Sequence, residues 1–480
     1  MPTRSSSRRS IAEFMRAERT RFGALVLFLV LVFLMGGGSR PDIQSLVLLR
    51  PLAILAAAYA LTVAKPDQLR SVRAPLALLL ALLGIMIAQM VPLPPGLWAA
   101  LPGRDIYSET VAAAEVADRW RPISLSPSRT MNSIFSLSVP IAAVLLFAIQ
   151  EQRYWRPMIV ALLSLAVLSS LWGLLQLVGS STGPLYLYRV TNAGLPVGLF
   201  ANRNHQAVVL AAFIPIIAYL ALSARSAPGE RRLGSAAWFA VLLLVPTVLM
   251  TGSRAGLMAL ALALAALAPV FYFSRRERGS GRGLDASRAR VGWIIAGALA
   301  FIGVTATAAM WLGRTLAVER MMGEDALEDL RAKLVSTLTE MIATYFPVGS
   351  GFGSFDPVYD RFEPTSTLSD QYLNNAHSDW PQLLIEGGLP AGLLLLLFLV
   401  WLGRHAVRTI TQSARDASSS VTLRLAAISF IVVQGAGSIV DYPLRVPSVM
   451  AVFAILCALL SASANAPVAR RVRGAGEERG

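Results

Sequence analysis

Twelve apolar runs, each close to the ~20 residues a helix needs to cross the ~30 Å core of a bilayer, dominate this 480-residue chain. They fall at 22–38, 43–64, 74–92, 130–149, 157–178, 204–222, 235–252, 254–273, 291–312, 382–403, 421–440 and 445–463. Backbone groups in lipid have no water to bond, so such runs fold as helices that satisfy themselves. The expected fold class is an all-α polytopic membrane protein of about 12 transmembrane helices. Composition agrees, since 55% hydrophobic and 15% charged residues are too apolar for a water-soluble chain of this size. The seventh and eighth runs form a hairpin turning at Thr251-Gly252-Ser253-Arg254. Cys457, the single cysteine, lies in the last run, which excludes an internal disulfide and reads as a small buried hydrophobe. The N-terminal SRRSIAEF faintly resembles an export signal, but eleven further runs and the length of the first favour an uncleaved helix.

A net charge of +15 invites a nucleic-acid reading until the charges are placed on the two sides of these spans. With the N-terminus inside, 27 of the 43 Lys and Arg fall inside and 14 outside, while 10 acidic residues fall inside and 18 outside. Arg50 and Arg424 lie within spans. That asymmetry is the positive-inside pattern, so the charge reports topology and not a nucleic-acid partner. Both termini are expected in the cytoplasm.

Two outside segments are long, 93–129 and 313–381. The first contains DIYSETVAAAEVADRW, an amphipathic pattern expected to form a helical spacer along the membrane surface. The second contains EDALEDLRAKLVSTLTEMIATYF, whose apolar residues at spacings of 3 and 4 predict one amphipathic helix ended by Pro347. The GSGFGSF that follows matches neither a Walker loop nor a dinucleotide fingerprint, so a turn is the plainer reading. The Arg/Gly/Ser segment 275–290 reads as a flexible inner loop.

On the outer side this topology collects Arg203 and His205, Arg254, Arg331, and His377-Ser378-Asp379. Arginine grips phosphate oxygens through paired N–H bonds, and a histidine can take a proton from an attacking hydroxyl near neutral pH. A lone arginine at a hairpin end also reads as a side chain reaching for water. Three histidines, one of them the inner His405, and no HExxH or DxD leave little with which to build a metal site.

These residues resemble the O-antigen ligases and O-antigen polymerases of bacterial envelopes. His377-Ser378, nine residues, Gly388, three residues and Gly392 match the ligase pattern; TGSRAGL at 251–257 and GLFANRNHQA at 198–207 are similar to two further family elements. The stretch from Arg331 through FPVGSGFGSF resembles the segment with the family's second functional arginine, offset by one residue. The resemblance covers roughly 190–400 and implies a GT-C-type, metal-independent, inverting glycosyltransferase acting on the periplasmic face of the bacterial inner membrane, without a cofactor. The donor it implies is a glycan on undecaprenyl diphosphate, and the acceptor a sugar hydroxyl on a lipid-anchored molecule. His377 would then activate the hydroxyl, and Arg254 and Arg331 would hold the diphosphate.

Arg203 and His205 contact donor or cap their span; Asp379 orients His377 or caps its helix; Gly388 and Gly392 permit close helix packing. Glu386, a carboxylate inside a span, should face protein or line the site. On this reading the chain divides into a basic arm (1–21), five spans with the first long loop (22–189), a ligase-related core (190–403), two C-terminal spans (404–463) and a basic tail (464–480). The competing class is a polysaccharide transporter or flippase, disfavoured by the scarcity of charge within the spans.

Overall fold

A computed structural model describes residues 4–223, 228–277, 326–365, 373–413 and 419–465. The chain opens with α1 (Arg4–Met35), α2 (Leu46–Val63), α3 (Pro66–Ser71) and α4 (Arg73–Ala88). The first long outer segment holds α5 (Pro95–Ala99) and α6 (Asp105–Ala113) beside a two-residue antiparallel ladder, β1 (Pro92–Leu93) with β2 (Arg121–Pro122). Then come α7 (Pro127–Ser136) and α8 (Ser138–Ala148), α9 (Trp155–Val178), and α10 (Arg203–Ala212) and α11 (Ile214–Leu222), broken just before Pro215, which has no N–H to continue the ladder. The hairpin of α12 (Pro228–Met250) and α13 (Arg254–Ala265) turns at the expected place and leads into α14 (Leu267–Glu277). The C-terminal part comprises α15 (Ala326–Tyr345), α16 (Phe355–Tyr359), α17 (Asp379–Ser413), α18 (Ser419–Val440) and α19 (Pro447–Asn465).

Among the described residues nine helical stretches are long and apolar enough to cross a membrane, which makes this a polytopic, mostly helical membrane protein. The run at 22–38 falls largely in α1 and that at 74–92 largely in the shorter α4, while 291–312 lies outside the described residues. The stretch Arg203–Leu222 is 89% buried and sits at the centre, whereas the windows in α2 and α17 are 22% and 28% buried and form the rim. Leu393, Leu396, Leu397 and Val400 of α17 are exposed, the composition of a face turned to lipid. Small residues bring the central helices together, since a side chain at Gly256 would run into Ala207 and one at Gly437 into Val208.

A small lobe covers one end of the bundle. Its core joins Leu334, Leu338, Met341 and Tyr345 of α15 to Phe355 and Tyr359 of α16 and to Ile385 of α17. The predicted amphipathic helix over 327–345 is therefore present, but the DIYSETVAAAEVADRW helix stops at Ala113, because the backbone at Glu115 turns to φ 54°. Arg104 pins that segment to the lobe. Fully buried, it donates to the carbonyls of Pro102 (3.1 Å), Ile123 (2.5 Å) and Gly349 (3.3 Å), and burial pulls its guanidinium down to about 10. Arg104→Met would orphan these carbonyls, so the purified protein is expected to lose about 3 kcal/mol, read as a lower thermal midpoint in detergent. An unchanged midpoint would refute that role.

The lobe and bundle meet at a break in α17. Gly388 has φ 58° and ψ −152°, a region open in practice only to glycine, and a side chain there would strike the backbone of Pro347–Gly349. The carbonyls freed by the break are taken by the glycine-rich loop: Ser350 N–H donates to Ile385 C=O (2.9 Å) and Gly351 N–H to Glu386 C=O (3.0 Å). Leu389 N–H in turn donates to Pro347 C=O (2.8 Å). Gly388 thus serves a loop contact and not the helix–helix packing expected of it, and Gly392 lies against Leu384 of its own helix.

Candidate active site

His377 occupies the left-handed region at φ 49°, uncommon for any residue with a β-carbon and worth of order 1 kcal/mol of strain. Gln382, one turn into α17, fixes the loop that imposes it. Its Oε1 accepts from Ala376 N–H (2.9 Å) and its Nε2 donates to Asn375 Oδ1 (3.2 Å) and to Glu386 Oε1 (3.0 Å). Ser378 Oγ donates to the Ser438 carbonyl at 3.3 Å and ties the loop to α18.

The imidazole is 21% exposed, with Nδ1 3.9 Å from Oδ1 of the fully buried Asp441. The same oxygen lies 3.8 Å from Nε2 of His205, which is 1% exposed. Tyr442 stands between the two imidazoles, edge-on to each, at centroid distances of 5.0 Å to His205 and 5.1 Å to His377. Burial, reinforced by the Asp441 charge, pushes the Tyr442 phenol well above its ordinary range, so this hydroxyl stays protonated. One carboxylate therefore faces two histidines across an aromatic spacer. His377 opens on a cleft of ≈ 470 Å³ walled by apolar residues of α15, among them Leu334, Leu338 and Ile342.

Asp379 and Glu386 belong to a neighbouring ion cluster. Arg445, in the 3₁₀ turn Pro443–Arg445, sets Nε 3.3 Å from Asp379 Oδ1 and Nη2 3.1 Å from Glu386 Oε2. Burial opposes the Arg445 charge, and the two carboxylates outweigh it, holding the guanidinium above its ordinary value. Asp379 Oδ2 accepts from Leu444 N–H at 3.2 Å. The expected partnership of Asp379 with His377 is not what its carboxylate makes; Asp441 holds that place. Glu386 faces protein, as a buried carboxylate must, with Phe355 N–H also directed at its Oε1 (3.3 Å).

The arginines arrive on adjacent helix ends. Asn202 caps α10 by accepting from Asn204 N–H (2.8 Å), and Ser253 caps α13 by accepting from Gly256 N–H (2.9 Å). Arg203 and Arg254 are thereby the first residues of two helices packed side by side, and Arg203 Nη1 reaches the Thr251 carbonyl at 3.5 Å. His205 follows Arg203 within the same first turn, which links the arginine ends to Asp441. Arg331 lies on α15; its side chain is outside the described residues. Among the described residues no three or more His, Cys, Asp or Glu are grouped so as to hold a metal ion.

Residues 239–396 match the family model of the O-antigen ligases. This region is an O-antigen ligase family domain. It includes Arg254, Arg331, His377, Asp379 and Glu386, and the resemblance first seen in the histidine pattern of this family holds for it. No curated protein matches the chain. Asp441, Tyr442 and Arg445 lie outside the matched residues, as do Arg203 and His205, so the carboxylate that faces His377 is supplied from outside the O-antigen ligase domain. Sequence reasoning missed Asp441, Arg445 and Gln382. A signal existed for the first two, because DYPLR places both charge signs at the junction of the last two apolar runs.

Proposed function

We propose that this protein is a glycosyltransferase of the bacterial inner membrane that moves a glycan from undecaprenyl diphosphate to the sugar hydroxyl of a lipid-anchored acceptor. Its termini are cytoplasmic and its site periplasmic, with the transferase core over 190–403. The observation that carries the reading is a histidine held in strained backbone, beside a buried carboxylate, at the mouth of an apolar cleft. His377 takes the proton of the acceptor hydroxyl as its oxygen attacks the anomeric carbon, inverting it while the bond to the diphosphate breaks. Asp441 is a positioning residue that steadies the imidazole and the positive charge it gains. Arg254 and Arg331 bind the departing diphosphate, where fixed positive charge in a water-poor site counts most. Arg203 extends this set, and His205 buttresses Asp441. Diphosphate departs readily enough for the step to proceed without a metal.

Arg254→Ala is expected to lower transfer by roughly 10²–10³-fold while the protein stays in the membrane at normal level. Transfer at the wild-type rate would remove Arg254 from the mechanism, and loss of activity in EDTA would count against the metal-free scheme. The acceptor is favoured as lipid A-core oligosaccharide, which makes the enzyme a ligase, because the histidine pattern is nearest to that class. Gel analysis of lipopolysaccharide after gene deletion checks this. Loss of the ladder with undecaprenyl-linked polymer retained identifies a ligase, and core bearing a single repeat identifies a polymerase.

A further inference from the structure

Arg50 is a charge one turn into a membrane-spanning helix, and such residues persist where they serve a site. Its Nη1 donates to Asn132 Oδ1 at 2.7 Å, its Nε is buried without a hydrogen-bond partner, and among the described residues no carboxylate pairs with it. It points to a cavity of ≈ 100 Å³ that Arg129 and Arg445 also line, together with Asn132, Gln382 and Glu386. Arg129 is paired with Asp356 (2.6 Å), and Arg445 with Asp379 and Glu386, so Arg50 carries the surplus charge of the chamber. His377, Arg203 and Arg254 do not line it.

An apolar cleft of ≈ 230 Å³ is lined from the same chain segments as this chamber. Leu137, Leu383 and Leu444 line the cleft, and each is the chain neighbour of a chamber residue, Ser136, Gln382 and Arg445 respectively. From there the cleft follows Phe398 and Trp401 of α17 and Phe453 and Cys457 of α19 into the spanning region. A cationic, amide-lined chamber at the head of an apolar furrow fits an amphiphile with an anionic head and hydrocarbon tails.

We infer that the Arg50 chamber binds a phosphate group on the headgroup of a membrane lipid, at a site separate from the diphosphate arginines. That this lipid is the glycan acceptor rests on the proposed transfer reaction; the binding itself does not. Glu386 connects the two sites, since it lines the chamber and is bonded by the Gln382 that fixes the His377 loop.

The test uses the full chain in phosphatidylcholine nanodiscs with three probes: a monophosphoryl glycolipid, the same glycolipid without its phosphate, and inorganic phosphate. The phosphorylated lipid should bind about tenfold or more tighter than its dephosphorylated counterpart, and Arg50→Gln should erase that difference. Arg129→Gln, at a partly exposed side chain, should reduce it as well, and serves if Arg50→Gln fails to reach the membrane. His377→Ala should leave binding unchanged. Wild-type preference in both arginine variants would overturn the assignment, as would equal binding of the two glycolipids. Inorganic phosphate binding as tightly as the phosphorylated lipid would make this a free-anion site and overturn the lipid reading. Failure of the transfer reading would appear differently, as unimpaired transfer by His377→Ala with the binding pattern intact.

Discussion

His377→Ala should lower glycan transfer by roughly 10²–10⁴-fold, the range for loss of a positioned general base, with the protein still present in the membrane. The substitution keeps a β-carbon and so leaves the strain at φ 49° in place, while the side chain it removes is partly exposed at the mouth of a cleft, so the fold is not expected to suffer. Asp441→Asn separates chemistry from architecture more sharply. It keeps the size of the group that faces His205 and His377 and removes only the charge, so kcat should fall roughly 10–100-fold while the KM for donor stays put. Transfer assays on purified protein in lipid with both variants check the pair. Full activity in His377→Ala would end the general-base assignment, and a rise in KM alone in Asp441→Asn would make Asp441 a binding residue.

Arg445→Ala is expected to be the most damaging change to stability, about 3–5 kcal/mol, because it strands two carboxylates together in buried surroundings. Most of that loss is the penalty of the unpaired charges and not the worth of the pairs. Combining Arg445→Ala with Glu386→Gln should therefore recover part of it, since the amide can still accept from Phe355 N–H and carries no charge. Thermal unfolding of the single and double variants in detergent reads the difference. A double variant no more stable than Arg445→Ala alone would contradict this account.

The spans were legible because lipid imposes length and apolarity directly on the sequence, and runs such as 204–222 and 445–463 state both. His377 was legible for a related reason: a polar cluster at a span entrance is conspicuous, and a matching glycine spacing reinforced it. Its partner was not legible. Asp441 sits 64 residues away in a turn between two spans, and only folding sets α18 against the histidine loop. Asp379, two residues from the histidine, was the nearer carboxylate in sequence and the wrong one in space. Arg445, drawn from that same turn, claims it. The glycine loop was read as a turn and is one, but what it turns for was not legible: in the fold two of its amides are taken by the carbonyls of Ile385 and Glu386.

That use of the loop amides bears on how substrates come and go. The turn 347–351 is stitched to α17 by hydrogen bonds on both sides of Gly388, and Arg104 fastens the same turn through the Gly349 carbonyl. A lobe so anchored cannot swing away as a hinged cap without exposing several buried amides and carbonyls at once. Traffic to His377 is therefore expected to be sideways, through the cleft beneath α15 that opens among apolar side chains, with the lipid tails never leaving the bilayer. If the proposed transfer reaction holds, the protein would then work as a fixed bench at the membrane's edge, past which two lipid-anchored substrates slide.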